Sequence, residues 1–215
     1  MLTYKLLKNH AGLLLTGDYQ TLRALHEVIH DVNERSPLIK YKDGPFLGLA
    51  YDLRKAYEGQ RKTLKPPEGY PEIGPRFGVE VVWPALLWQC RALRASMAFI
   101  DTTKNMQAHA YALESVIEEG VLEDFGGDLG ASVIAEWERI NPAHPYSEEA
   151  LASRGAVFCS WTKNQRKKGI VGLVGSFNPM YSALYPIWLG NGATNLVPPE
   201  EYEKWSAVEW PDPKW

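Results

Sequence analysis

The 215-residue sequence lacks the marks of several common chemistries. It has only two cysteines, Cys90 and Cys159, each inside an apolar stretch ("LLWQCRAL", "AVFCSW"). No C-x-x-C occurs, which excludes the usual cysteine zinc and dithiol motifs. Two thiols in apolar surroundings read as buried and reduced. No apolar run approaches the roughly 20 residues that cross a bilayer. "MLTYKLLKNHAG" has neither the apolar core nor the small-residue cleavage site of a secretory signal, so the expected location is the cytoplasm, away from membranes. No Gly-Lys-Ser/Thr closes a phosphate loop, no G-x-G-x-x-G announces a dinucleotide fold, and no G-x-S-x-G marks a serine nucleophile. Gly169, Gly172 and Gly175 are spaced by three, which suits a buried segment that packs closely. No internal repeat or low-complexity tract appears.

Charge of one sign is also scarce in places. The net charge is -3, too small to name a partner. Residues 105–153, however, hold ten Asp/Glu and a single basic residue, Arg139. Such a segment reads as a solvated helical face or as an acidic patch for a basic partner. The basic run "KNQRKK", residues 163–168, reads as a solvated loop at a helix C-terminus, where cations suit the dipole. With the chain acidic overall, a nucleic-acid partner is not expected.

What is present is an ordinary globular composition, 45% hydrophobic and 23% charged. A chain of this length buries a sizeable core without staples. "TYKLLK" and "GLLLTG" read as two strands around "NHAG", and "FGVEVVW" as another. Asp18 is placed to cap a helix from Tyr19 to about Asn33. Further helices are expected in "LGLAYDLRKAYEGQRK", in "PALLWQCRALRASMAF" with Pro84 in its first turn, and in "KNMQAHAYALESVIEEGVLEDF" ahead of Gly126-Gly127. "LGASVIAEWERI" and "SEEALASRGAVFCSW" add two more, while "GIVGLVGSF" reads as a strand or tight loop. The expected class is α+β: predominantly helical, with a small sheet from the N-terminal hairpin and the segment near 77–83. The chain is expected to form one domain over 1–215, with the proline-rich loop 66–75 as the best internal boundary.

One stretch speaks of chemistry. "RALHEVIHDV" contains His26-Glu27-Val28-Ile29-His30, which resembles the H-E-x-x-H zinc signature of zincin metallopeptidases. The resemblance covers five residues. It implies His26 and His30 as ligands on one helix face and Glu27 as the general base that activates a zinc-bound water. The same residues also fit a plain amphipathic helix. Leu22, Leu25, Val28, Ile29 and Val32 make an apolar stripe. Arg23 and Glu27 are an i,i+4 pair of opposite sign. Arg23 and His30 point within about 20° of each other, which places a guanidinium beside the ligand stripe. "DVNERSPLIKYK" offers no third ligand; Glu58, Glu114, Glu118 and His109 are candidates only by composition.

Aromatics complete the reading. Three of eight tryptophans, Trp205, Trp210 and Trp215, fall in the last eleven residues. They either dock onto the body of the protein or anchor a partner. "MYSALYPIW" is apolar enough to be core. The leading expectation is therefore a non-catalytic cytoplasmic binding protein of the regulatory, immunity or interaction kind. It would need no cofactor, and its partner would be another protein, met through Trp205, Trp210 and Trp215. The alternative is a zinc-dependent hydrolase built on His26, Glu27 and His30.

Overall fold

The computed structural model describes residues 1–66, 68–206 and 208–213. Its fold is α+β: four short antiparallel strands and a larger set of helices around them. Strands β1 (Thr3–Leu6), β2 (Gly12–Gly17), β3 (Lys62–Leu64) and β4 (Arg76–Val82) form one sheet in the order β1-β2-β4-β3. β2 is buried along its whole length, as its central place between β1 and β4 requires; Leu13 and Leu15 enter the core. Leu13 stands opposite Val81 and Leu15 opposite Val79, so the inward-facing pairs are branched aliphatics. The proline-rich segment 66–75 links β3 to β4 within this sheet.

The turn between β1 and β2 is strained. Asn9 and His10 both lie in the left-handed region, at φ 59° and 53°. Gly12 follows at φ 155°, where a Cβ would sit 2.0 Å from the Val81 carbonyl oxygen, so only glycine lets the chain enter the sheet there. The turn is held by Asp124, a buried carboxylate 2.8 Å from His10 Nδ1 that also accepts the Trp83 indole N–H at 2.8 Å.

Helix α1 (Tyr19–Arg35) starts where Asp18 accepts the Thr21 N–H at 2.9 Å. It buries Leu22, Leu25, Val28, Ile29 and Val32, the stripe read from the sequence. Helix α2 (Pro45–Tyr57) lies against it, and α3 (Trp83–Met97) runs through the centre of the molecule with almost every side chain buried. Helix α4 (Lys104–Phe125) lies against the sheet; at Gly120 a Cβ would fall 2.9 Å from Leu13, which shows how closely its backbone approaches. Helices α5 (Gly127–Glu138), α6 (Pro145–Ser160), α7 (Lys163–Gly175), α8 (Tyr181–Gly190) and α9 (Pro199–Lys204) complete the chain. The buried hydrophobic side chains of sheet and helices make one continuous cluster. No helix among the described residues is long and apolar enough to cross a membrane.

Three local readings are corrected. "KNQRKK" is the first half of α7, not a loop, and "GIVGLVG" is its second half, not a strand. Two local features decide this. Thr162 and Gln165 close a reciprocal capping box, and Arg166 turns inward. Arg166 is fully buried and donates to the Phe158 and Cys159 carbonyls at the C-terminal end of α6 and to that of Asn9. The glycines spaced by three serve close packing on a helix. Trp161 lies over Gly169, and the Asn195 carbonyl lies over Gly172. Third, "MYSALYPIW" is not core. Only Tyr181 of α8 is buried, its hydroxyl donating to the Val197 carbonyl at 2.9 Å, while Met180, Ile187 and Leu189 face outward. A run of apolar letters without a polar face sets no orientation, and here the helix rests on the buried Tyr181 ring with the half-buried Tyr185 and Trp188 rings beside it.

Candidate functional site

The H-E-x-x-H segment occupies a continuous stretch of α1. His26 is half-buried, and its ring meets Tyr57 edge-on at 5.8 Å and lies 6.0 Å from the His30 ring. Burial lowers the His26 pKa, and the charges of His30 and Arg54 lower it further. Its Nδ1 is buried without a hydrogen-bond partner. Glu27 and His30 are exposed. The Arg23 Nε donates to Glu27 at 2.9 Å, so the residue needed as base is engaged by a guanidinium. Glu114 is held 2.9 Å from Arg94, and Glu58, which lies close enough to His26 to act on its charge, is 4.0 Å from Arg54. Among the described residues no three His, Cys, Asp or Glu side chains converge as a metal site requires. The residues present do not fit a zinc centre.

The acidic segment is divided among several tasks. Glu114 pairs with Arg94, Glu136 pairs with Arg139, and Asp124 is buried beneath His10 and Trp83. Glu123 accepts the Tyr4 hydroxyl at 2.8 Å. Glu148 and Glu149 stand on the first turns of α6 and face a cavity.

That cavity has a volume of about 730 Å³. Its walls are Leu49 of α2, Val81 and Val82 of β4, Ala85 of α3, and Leu151 and Ala152 of α6. The last wall is Trp210. It reaches the site because α6 carries glycine at 155, where a Cβ would lie 1.9 Å from the indole, so the ring rests directly on the helix backbone. Tyr202, on α9, anchors the same tail by covering the buried Arg154 guanidinium at 3.8 Å. Trp205 and Trp210 thus pack against the protein's own core, and Trp215 lies outside the described residues.

Polar atoms enter the cavity at chosen points. Gln89 is only 7% exposed; its amide nitrogen donates to the Pro45 carbonyl at 2.8 Å, while its Oε1 has no partner. The Glu148 Oε1 is buried and unpartnered as well. Burial raises the Glu148 pKa, and the neighbouring Glu149 charge raises it further. Two more carboxylates, Asp52 and Glu80, lie on the sheet side, held by Arg61 at 2.7 Å and Lys62 at 3.5 Å. Neither Glu148 nor Glu149 has an ion-pair partner among the described residues.

Sequence reasoning did not reach this site. A faint signal exists in retrospect: Gly44, Gly48 and Asp52 repeat every four residues, as do Ala85 with Gln89 and Glu148 with Ala152. Each is a helix face of small residues with one polar member, which leaves room beside a polar atom. A second cavity, of about 470 Å³, lies between α5, α7 and α8, but Arg139, Glu136 and Lys168 give its mouth mixed charge. No curated protein and no solved structure matches the chain. A family model described as a domain of unknown function (DUF6904) matches residues 2–211, so the chain belongs to that family.

Proposed function

We propose that this is a cytoplasmic, non-catalytic binding protein whose ligand enters the cavity between α2, β4, α3 and α6. The observation that supports this reading most directly is the cavity itself. Its volume of about 730 Å³ lies within the range of small-molecule sites, which run from about 300 to 1,000 Å³. Its walls are mainly aliphatic with the rings of Trp210 and Tyr41, and a few polar groups enter from α3, α6 and the sheet side, the usual composition of such sites. Trp210 completes this wall, and Trp205 packs on the core beside it.

Gly48 supplies the test. A Cβ there would meet only the Gln89 amide nitrogen, at 3.6 Å, so a larger side chain can grow into the cavity without touching the backbone. Naphthylethanol, a neutral apolar probe, should raise the melting temperature of the wild-type chain and leave that of Gly48→Phe unmoved. Equal shifts for both proteins, or no shift for either with this probe and with its amine analogue naphthylethylamine, would refute the assignment.

A further inference from the structure

Resting on the cavity reading, we infer that the ligand is a small organic cation: an amine or guanidine carried on an apolar body. Two unpartnered atoms belong to the lining of this cavity. Gln89 Oε1 and Glu148 Oε1 are both acceptors, both buried, and both belong to residues that line the cavity. A buried polar atom without a partner carries a desolvation penalty, and folded proteins leave few of them. The Gln89 amide cannot relieve this by turning round, because its nitrogen is committed to the Pro45 carbonyl and a flipped amide would set oxygen against oxygen. A ligand that displaces solvent from the cavity satisfies these acceptors only if it brings donors.

Charge sharpens this to a cation. Four carboxylates face the cavity: Asp52, Glu80, Glu148 and Glu149. Arg61 and Lys62 compensate the two on the sheet side, and the two on α6 have no such partner. A ligand ammonium or guanidinium would supply the missing positive charge to Glu148 and Glu149 and a donor to Gln89. Hydrogen bonds to ionised groups are about twice as strong as neutral ones. A bare metal ion does not suit the site, since no three acidic or histidine side chains among the described residues converge on one point. A lysine side chain from another protein does not suit it either. The apolar walls from Leu49 to Trp210 border a cleft open to solvent on one side, with far more room than one alkyl chain fills.

Calorimetric titration of the full chain tests this with four probes: naphthylethylamine, neutral naphthylethanol, anionic naphthylpropionate, and Nα-acetyl-lysine amide standing for a partner's lysine. The amine should bind at least tenfold tighter than the alcohol, as one charge-assisted hydrogen bond supplies. The propionate should not bind, and the lysine amide should bind at least tenfold more weakly than the amine. Glu148→Gln should erase the preference for the amine over the alcohol. Gln89→Met, which keeps the volume and removes the acceptor, should weaken the amine severalfold and serves independently if Glu148→Gln misfolds. Equal binding of amine and alcohol, with both lost in Gly48→Phe, would overturn the cation and leave the cavity as the binding site. Propionate binding at least as tightly as the amine would overturn the cation in the same way. Lysine amide binding as well as the amine would overturn the small-molecule ligand. Binding of none of the four would overturn both readings.

Discussion

His26 on α1 and Glu148 on α6 are alike in kind and differ in what surrounds them. Each is half-buried, each has a buried atom without a hydrogen-bond partner, and burial pushes each towards its neutral form. Around His26 the space is filled: Tyr57 and His30 pack against the ring, and Arg54 lies near enough to oppose its charge. Around Glu148 the space is open, with about 730 Å³ in front of it and an unpartnered amide oxygen on another wall. An unsatisfied atom at a packed edge is a stability cost that the fold tolerates. The same atom at the edge of an apolar cavity is a place where a ligand's donor gains more than water offers.

The largest expected effect tests whether the cavity wall is real. Gly155→Ala places a methyl group where the Trp210 indole now lies, 1.9 Å from its nearest atom. If the tail were undocked, replacing a mid-helix glycine by alanine should stabilise the protein by about 1 kcal/mol. With the tail docked, the clash should instead destabilise it by about 2 kcal/mol, within the range for overpacked sites. The sign of the change in chemical denaturation therefore decides the matter. Loss of naphthylethanol binding should accompany the destabilisation, because the same ring closes the cavity. A stabilised variant would remove Trp210 from the site.

The helices that frame both regions were legible in the sequence because their signals are local. Asp18 followed by Thr21, and an apolar stripe from Leu22 to Val32, specify α1 without reference to the rest of the chain. Pro84 at the start of α3 and Gly126 after α4 act in the same way. The failures have a different origin. β3 is three residues long and becomes a strand only by pairing with β4. The second half of α7 carries glycines and branched residues that read as strand. It is held as helix by the capping box and by what packs on those glycines, the Trp161 ring and the Asn195 carbonyl. The cavity was illegible for the same reason. Trp210 stands out in the sequence as an anchor, but residues 44–52, 80–89 and 148–152 show nothing unusual in isolation, and only the tertiary fold makes their small faces meet under its ring.

A smaller effect separates the two groups by pH. Burial raises the Glu148 pKa above its ordinary 4.5, so the folded chain holds a proton that the unfolded chain releases. The stability this gives is fully present below 4.5 and is lost as pH rises through the raised folded value. His26 behaves in the opposite sense. Its pKa is lowered below the ordinary 6.5, so its contribution is present above 6.5 and is lost as pH falls through the lowered folded value. Glu148→Gln should therefore raise the neutral-pH stability of the ligand-free protein, by under about 1 kcal/mol for a group still partly in contact with water. It should also remove the decline that begins above 4.5. His26→Gln should flatten the loss on the acid side of 6.5 and leave neutral-pH behaviour unchanged. Identical slopes in wild type and both variants would mean that neither site is as desolvated as the packing indicates.

The smallest expected effect belongs to the residues whose letters look most like an active site. Glu27 is exposed and pairs with Arg23, itself half exposed, so the pair is screened by water and salt. Its neighbour His30 is also exposed, and the third ligand that a zinc centre needs is not assembled from Glu58, Glu114 or any other acidic or histidine side chain among the described residues. Glu27→Gln should leave the denaturation midpoint within measurement error. Protein purified without chelator should contain zinc far below one ion per chain, and His26→Ala should not change that content. The outcome that would reverse the comparison is specific. Stoichiometric zinc lost in His26→Ala, together with a hydrolytic activity abolished by Glu27→Gln, would place the chemistry on α1. It would also require Arg23 to release Glu27 and a ligand from another element to approach the exposed face of His30. Separations of several ångströms would have to close to the roughly 2 Å of a zinc–nitrogen bond. A rearrangement of that size in α1 would disturb the stripe from Leu22 to Val32, so a zinc-loaded protein should then also show a changed melting temperature. The structural reading expects the same melting temperature with and without added zinc.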